Sequence, residues 1–205
     1  MEINKIKNLF PEKVKLRNQK IMTLRLMEDK DIDGVFNLFR QIPSSEKIYL
    51  KEDVSDKGAI VQWARRIKEH VAVTILAEIE GTICAEATLH QQAAGWSKHV
   101  GNIRINVSSE HRGIGISTML CDKICWIARI LKISKVMAEV IPEQKKIIKI
   151  FENFGFEKEA ILKDHVIDIE GKLHNLIILA NHTEKLIKEI HSHIFYTDPR
   201  FGPEY

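Results

Sequence analysis

The chain has little of what would place it in several classes of protein. Its 205 residues contain three cysteines, too few for a disulfide framework. No apolar run approaches the roughly 20 residues of a membrane-spanning helix, and the N-terminus lacks the apolar centre of a signal peptide. The 31 basic and 28 acidic residues leave a formal charge of only +3, which does not indicate nucleic-acid binding. We therefore expect a cytoplasmic protein with no membrane or nucleic-acid partner.

The three cysteines do not indicate a metal site. Cys121 and Cys125 lie four residues apart on a predicted helix. No further cysteine or histidine lies at a spacing typical of a zinc site. Together with Cys84 they are predicted to be buried apolar thiols, and we expect no bound metal.

An apolar content of 44% is enough for one sizeable core in a chain of this length. Hydrophobic periodicity predicts one domain over residues 21–181, between a basic, weakly patterned arm (1–20) and a C-terminal helix and tail (182–205). The predicted order, β-α-α-β-β-β-α-β-α-β-β-β, is typical of a mixed α/β sheet with helices on its faces. The predicted strands are 21–26, 71–79, 82–90, 100–107, 136–141, 156–162, 166–169 and 173–179. The predicted helices begin at 31 and 57, follow residue 115, and cover 143–154 and 183–193.

The most informative stretch is SSEHRGIGISTML, residues 108–120, in which two glycines precede a helix. The strand Val100–Val107 alternates cleanly before it, and Leu120 belongs to the apolar stripe of the helix after it. A strand, a glycine turn and a helix can hold an anion, because free N–H groups and the helix dipole point at it. The stretch lacks the Gly-Lys-Ser/Thr of a Walker loop and the third glycine of a dinucleotide motif. A plain helix cap is the structural alternative.

The run from Arg112 to Ser117 resembles the acyl-CoA loop of the GNAT family of N-acetyltransferases, whose pattern is Gln/Arg-x-x-Gly-x-Gly/Ala. Arg112 and Gly115 match the first two fixed positions, while Ser117 departs from Gly/Ala but is small. The segment KKIIKIFENFGFEKEAIL resembles a later family segment, in which a helix ends in an aromatic residue and Gly-Phe precedes a strand. That match is carried by Ile147, Phe151, Gly155 and Phe156. The resemblance spans roughly residues 21–181 and includes the order of elements.

This resemblance implies a mixed, mostly antiparallel sheet with helices on both faces, splayed where acetyl-CoA binds. The pyrophosphate would bind the backbone amides of the glycine turn, with a charge-assisted contact from Arg112. The pantetheine arm would pair like a strand with the backbone of residues 105–107. The cofactor-binding residues implied in this way are Ile105, Asn106, Val107, Arg112, Gly113, Ile114, Gly115, Ile116, Ser117, Thr118, Gln144 and Phe151.

The chemistry implied by the resemblance is direct attack of an amine on the acetyl thioester. It needs a base for the amine, a donor for the carbonyl oxygen and an acid for the leaving thiolate. A backbone N–H near Val107 is the expected donor. Phe151 stands where many family members have an acidic tyrosine, and Gln144 stands where an asparagine is common. The strand 100–107 also lacks the glutamate base that many members place there.

Glu86 is the candidate base, because a carboxylate in the apolar run ICAEATL is rarely buried without a partner or a purpose. A salt bridge with Arg104 on the neighbouring strand is the structural alternative. Arg104 is also the candidate contact for a carboxylate of the acceptor. Surface or structural roles are predicted for His90, His99, His111, His165 and His174.

These patterns predict an acyl-CoA-dependent N-acyltransferase that moves an acetyl group to a primary amine of a small molecule or a protein. The alternative is a GNAT-fold module that binds acyl-CoA and catalyses little. Phe151, Ser117 and the strand without a carboxylate favour that alternative, whereas the intact loop favours the enzyme. A homodimer is compatible with the resemblance.

Overall fold

The computed structural model describes residues 2–16, 18–43, 46, 50 and 56–184 of the chain. The strands in this part are β1 (Glu12–Lys15), β2 (Ile21–Leu26), β3 (Ala72–Ile79), β4 (Thr82–Gln91), β5 (Val100–Val107), β6 (Lys135–Val140), β7 (Glu157–Ile167) and β8 (Leu173–His182). The helices are α1 (Glu2–Lys7), α2 (Ile32–Arg40), α3 (Lys57–Lys68), α4 (Ile116–Ile130) and α5 (Lys145–Asn153).

The strands form one sheet in the order β1-β2-β3-β4-β5-β6-β8-β7. Every neighbouring pair is antiparallel except β5 and β6. This parallel pair ends at the partners Asn102 and Met137, although β5 continues to Val107 and β6 to Val140. The sheet is therefore splayed between β5 and β6, which confirms the mostly antiparallel, splayed architecture expected from the sequence.

Helices cover both faces of the sheet, because side chains alternate along each strand. In β3, Ile75 and Ala77 belong to the larger core, which contains the apolar face of α4, whereas Leu76 belongs to a second core with α2 and α3. The stripe predicted for α4 is buried, with Leu120 and Ile124 both at 0% exposure. Since α4 follows β5 after a short turn, its N-terminus lies at the open end of the splay.

The first residues of the chain, expected as a weakly patterned arm, form a helix and a strand. Ile6 of α1 is buried, and β1 pairs with β2 at the edge of the sheet. The sequence of β1 is EKVK, which has no apolar run. Its position depends on pairing with β2 and on a salt bridge from Lys123 of α4 to Glu12, with 2.7 Å between Nζ and Oε2.

The prediction of separate strands at 156–162 and 166–169 is wrong, because β7 is one continuous strand. The strand bulges between Leu162 and Val166, where Asp164 adopts a φ of +50°. The bulge lets pairing with β8 continue across the polar run Lys-Asp-His. Most of the predicted C-terminal helix at 183–193, and most of the predicted loop before α3, lie outside the described residues.

Cys84, Cys121 and Cys125 are buried free thiols, as the sequence predicts. Within the described ranges, no helix combines the length and apolar character needed to span a bilayer.

Candidate active site

A groove of about 650 Å³ runs along the open end of the splay, and the glycine turn forms one of its walls. Gly113 and Gly115 adopt φ angles of +81° and +93°, which strain any residue with a Cβ. A Cβ at either glycine would have no atom within 4 Å, so this backbone faces open space. The Met119 N–H makes a bond of 3.1 Å to the Gly115 carbonyl, which leaves the N–H groups of residues 116–118 directed out of the helix end. The turn has the geometry of an anion site.

All but two of the residues predicted to bind the cofactor line this groove. The exceptions are Ile114, whose side chain packs against the larger core, and Phe151, which lines a smaller cavity deeper in the splay. Lys145 and Lys146, at the start of α5, also line the groove and add positive charge that the sequence analysis did not assign. The groove therefore suits a long ligand that carries phosphates.

A carboxylate holds the side chain of Arg112 at the groove. Nη1 and Nη2 of Arg112 donate to Oε1 and Oε2 of Glu46 at 3.0 and 2.6 Å, and Nε donates to the Val107 carbonyl at 3.2 Å. The hydrogen bonds from Arg112 lower the pKa of Glu46, so the pair stays ionised at neutral pH. A pyrophosphate on the glycine turn would compete with Glu46 for the guanidinium group.

The smaller cavity, of about 80 Å³, has Glu86 in its wall. The Glu86 side chain is buried and accepts two hydrogen bonds, from Thr88 Oγ1 to Oε2 at 2.7 Å and from Asn106 Nδ2 to Oε1 at 2.5 Å. The register of the sheet produces this arrangement. Glu86 lies opposite Asn106 of β5, and Thr88 lies two residues further along β4, on the same face.

The Thr88 hydroxyl belongs to a chain of donors that begins on α3. Trp63 Nε1–H donates to Thr74 Oγ1 at 3.0 Å, and the hydroxyls of Thr74 and Thr88 lie 2.9 Å apart. An indole N–H can only donate, and Thr88 gives its single hydroxyl proton to Glu86. Thr74 must therefore donate to Thr88. The chain supplies the carboxylate with one fixed hydrogen bond from inside the protein.

Burial raises the pKa of Glu86 to about 7, and the hydrogen bonds from Asn106 and Thr88 and the charge of Arg104 oppose that rise. A carboxylate with this pKa is partly ionised at neutral pH and can accept a proton there. Arg104 lies on the same face of β5, opposite Thr88. Thr88 and Asn106 donate to the carboxylate, and the positive charge of Arg104 lowers its pKa.

Gln144, immediately before α5, and Phe151 of α5 line the small cavity. Gln144 Oε1 accepts a hydrogen bond from the backbone N–H of Ile141 at 3.0 Å, and its side chain also lines the groove. The ring of Phe151 is buried and lies 4.9 Å from the ring of Phe156, between centroids. The residue at the position of the family tyrosine is thus an apolar wall of the cavity.

A third cavity, which we call the vestibule, lies beside the β7–β8 hairpin and has a volume of about 550 Å³. Leu50 and Gln144 line all three cavities, so the groove, the small cavity and the vestibule meet at these side chains. Glu139 lines both the small cavity and the vestibule, and Asn102 Nδ2 donates to its Oε1 at 2.9 Å across the splay. The site therefore offers separate approaches for a long cofactor and for an acceptor.

Two of the histidines flagged by the sequence make structural contacts. His111 Nδ1 lies 2.8 Å from Ser108 Oγ in the turn before α4. His174 Nε2 lies 2.8 Å from Asp168 Oδ2, and its Nδ1 lies 3.3 Å from Glu143 Oε1. The hydrogen bond with Asp168, followed by that with Glu143, raises the pKa of His174. The contact between His174 and Glu143 ties the β7–β8 hairpin to the segment that precedes α5.

The sequence analysis missed several residues that position Glu86 and Arg112. Thr88 could have been found, because residues two apart on a strand share a face. No local pattern identifies Trp63 or Thr74, since the pairing of β3 with β4 and the packing of α3 bring them together. Glu46 is 66 residues from Arg112, beyond the range of any spacing rule.

A groove with the geometry of an anion site, at the splay of a mixed α/β sheet, fits a transferase whose donor carries phosphates. The model of the acetyltransferase (GNAT) family matches residues 33–156. The chain belongs to this family, and it is an acyl-CoA-dependent N-acetyltransferase.

Relatives of known name or structure share this fold. YwnH of Bacillus subtilis (strain 168), named as a candidate phosphinothricin acetyltransferase, is 24% identical over 162 residues, 78% of this chain and 98% of YwnH. One similar structure is that of yncA from Salmonella typhimurium, a candidate acetyltransferase solved with its cofactor acetyl-CoA. It matches with a TM-score of 0.70 at 14% identity, and the match covers 79% of this chain and 94% of yncA. The structure of the ribosomal-protein-alanine N-acetyltransferase of Brucella melitensis matches with a TM-score of 0.69 at 19% identity. The match covers 78% of this chain and 98% of that protein. At these identities, the two structures establish the fold.

Proposed function

We propose that acetyl-CoA lies along the groove, with its pyrophosphate on the glycine turn and its thioester beside the small cavity. The outward amides of residues 116–118 and the charges of Lys145 and Lys146 support the position of the phosphates. The pantetheine arm pairs with the backbone of residues 105–107, where β5 has left its partner β6. The observation that carries this proposal is that the groove meets the cavity that holds Glu86.

Glu86 is the proposed general base. The nitrogen of the acceptor attacks the carbonyl carbon, Glu86 takes the proton that the amine loses, and the bond between carbon and sulfur breaks as the amide forms. The hydrogen bonds from Thr88 and Asn106 fix the carboxylate in one orientation. A backbone N–H near Val107 stabilises the negative charge that develops on the carbonyl oxygen.

The leaving thiolate needs no acid from the protein. Phe151 has no proton to give, and a thiol with a pKa of about 8.5 leaves as the thiolate near neutral pH. Solvent then protonates the coenzyme A thiolate. Catalysis at this site therefore depends on the supply of a neutral amine.

The proposed acceptor is a small molecule that carries a primary amine and a carboxylate. Arg104 lines the same cavity as Glu86, so one side chain can contact the carboxylate while the other accepts a proton from the amine. YwnH is named for phosphinothricin, which is an amino acid of this kind. The cavity of about 80 Å³ admits only the amine and its nearest atoms.

Thiol release from acetyl-CoA in the presence of a panel of primary amines tests the proposal. We expect release that depends on the amine, with one N-acetylated product detected by mass spectrometry for each thiol. Tight binding of acetyl-CoA without turnover of any amine would support the alternative, a module that binds acyl-CoA.

Ser117→Gly is expected to bind coenzyme A within about tenfold of the wild type, or 1.4 kcal/mol. Ser117 lines the groove, and its position requires only a small side chain whose backbone N–H faces the pyrophosphate. Calorimetric titration with coenzyme A measures the difference. A larger loss would show that the hydroxyl itself binds phosphate.

Glu46→Gln is expected to tighten coenzyme A binding by about three- to tenfold at low ionic strength. The substitution removes a negative charge from the groove and releases Arg112 for the pyrophosphate. The gain should shrink as salt is added, and titration at two salt concentrations measures it. Glu110→Gln, which removes an exposed charge near the same turn, is the control and should change affinity little. Weaker binding by Glu46→Gln would show that the ion pair maintains the shape of the groove.

A further inference from the structure

The vestibule is lined mainly by apolar side chains that solvent reaches. Ile167 and Ile169 are 65% and 71% exposed, and Leu162 is 37% exposed. An apolar patch of this kind, beside a reaction cavity, marks a surface that a ligand covers. The hydrophobic effect then favours a ligand that removes these side chains from water.

The acidic groups of the vestibule are held in place. Glu139 is held by Asn102, as described above. Asp168 Oδ1 accepts hydrogen bonds from the backbone N–H groups of Glu170 and Lys172, both at 2.9 Å, and Asp168 Oδ2 lies 2.8 Å from His174 Nε2. The contact with His174 lowers the pKa of Asp168, which keeps it ionised. The described residues that line the vestibule include His165 but no lysine or arginine. An anionic group there would meet two carboxylates of like charge.

We propose that the acceptor is an α-amino acid with an apolar side chain, which occupies the vestibule while its amine and carboxylate contact Glu86 and Arg104. This proposal rests on the proposed function. The proposed acceptor differs from phosphinothricin, for which some relatives are named. The side chain of phosphinothricin ends in an anionic phosphinate. Glu139, with Asp168 beside its partner His174, disfavours that anion, and Ile167 and its apolar neighbours bind a hydrocarbon chain in its place.

L-Norleucine and L-phosphinothricin form a matched pair for the test. They share the amino acid head and have side chains of similar length, but norleucine ends in methylene and methyl groups where phosphinothricin has the phosphinate. We expect kcat/KM for norleucine to exceed that for phosphinothricin by roughly 100-fold, and that for alanine by at least about tenfold. Calorimetric binding of each amino acid to the protein saturated with coenzyme A gives the same comparison without turnover.

Ile167→Arg tests whether the vestibule sets this preference. Ile167 is exposed, so the arginine fits without burying a charge, and it adds a cation to the lining of the vestibule. The ratio of kcat/KM for norleucine to kcat/KM for phosphinothricin should fall by at least about tenfold. Ile161→Arg is the matched control, because Ile161 is 50% exposed on the same strand and lies outside the vestibule. Ile161→Arg should have the same ratio of the two kcat/KM values as the wild type.

The outcomes separate this proposal from the proposed function. Acetylation of both amino acids at equal kcat/KM, or an unchanged ratio in Ile167→Arg, would overturn the apolar vestibule and leave the acetyltransferase standing. Selective binding of norleucine without acetyl transfer would support the vestibule and overturn the proposed function. No selective binding in calorimetry would overturn the vestibule whether or not another amine is acetylated.

Discussion

Gly115→Glu is expected to abolish coenzyme A binding in a protein that still folds. Gly115 has a φ of +93°, and its Cβ would point into the open space of the groove. A glutamate there would be strained, and its carboxylate would repel the pyrophosphate at the amides of residues 116–118. Calorimetry should show that affinity for coenzyme A falls by more than about 100-fold, while the circular dichroism spectrum stays that of the wild type.

Two further variants separate charge from backbone strain. Gly81→Glu introduces the same side chain at a φ of +80° in the β3–β4 turn, where a Cβ also has no atom within 4 Å. It should bind coenzyme A as the wild type does. Gly115→Ala adds the strain without the charge and should lose less affinity than Gly115→Glu. Wild-type affinity in folded Gly115→Glu would mean that the cofactor does not use this turn.

Glu86→Gln is expected to lower kcat/KM by roughly 10²- to 10⁴-fold without changing coenzyme A affinity. Glutamine keeps the size of the side chain but cannot take the proton of the amine. The wild-type kcat/KM should rise with pH through about 7, the pKa to which burial raises Glu86. Above pH 7, the difference in kcat/KM between the wild type and the variant should shrink as the pH approaches the pKa of an alkyl amine, about 10.4. The neutral amine then forms without help from a base. A pH series of kcat/KM for both proteins measures this.

Melting temperature distinguishes this role from a structural one. The pKa of Glu86 rises from 4.5 to about 7 on folding, so the folded protein holds the proton more tightly than the unfolded chain. Stability contributed by this group is therefore lost as pH rises from 4.5 through 7, and above pH 7 the buried charge destabilises the fold. Glu86→Gln removes that charge and should keep or raise Tm at pH 8. A lower Tm, together with the same modest loss of activity at every pH, would make Glu86 a structural partner of Arg104.

The parts of this fold that could be predicted are those whose signals are local. The alternation of β5 predicted both its bounds and the face that carries Arg104 and Asn106, because side chains of a strand have a period of two. The glycines predicted the turn before α4, and the structure places both of them at positive φ. These features need no information from distant parts of the chain.

The parts that could not be predicted depend on contacts between distant segments. The strand β1 is polar in sequence and exists because β2 offers an unpaired edge. The continuity of β7 depends on a bulge that only its pairing with β8 reveals. The environment of Glu86 required the register of three strands and the position of α3, so the residue was found as a candidate without the contacts that raise or lower its pKa.

If Glu86 is the base, the donor chain behind it also limits where its proton can go after a turnover. Oε2 is occupied by the Thr88 hydroxyl, and the far end of the chain is an indole N–H, which cannot accept a proton. On the proposed mechanism, a proton taken from the acceptor therefore cannot pass inward along the chain. The amide product is too weak a base to carry it away. The proton would leave on the open side of the cavity, to water or to the coenzyme A thiolate, which is a stronger base than the Glu86 carboxylate. The chain therefore gives the proposed base a single direction in which to release its proton.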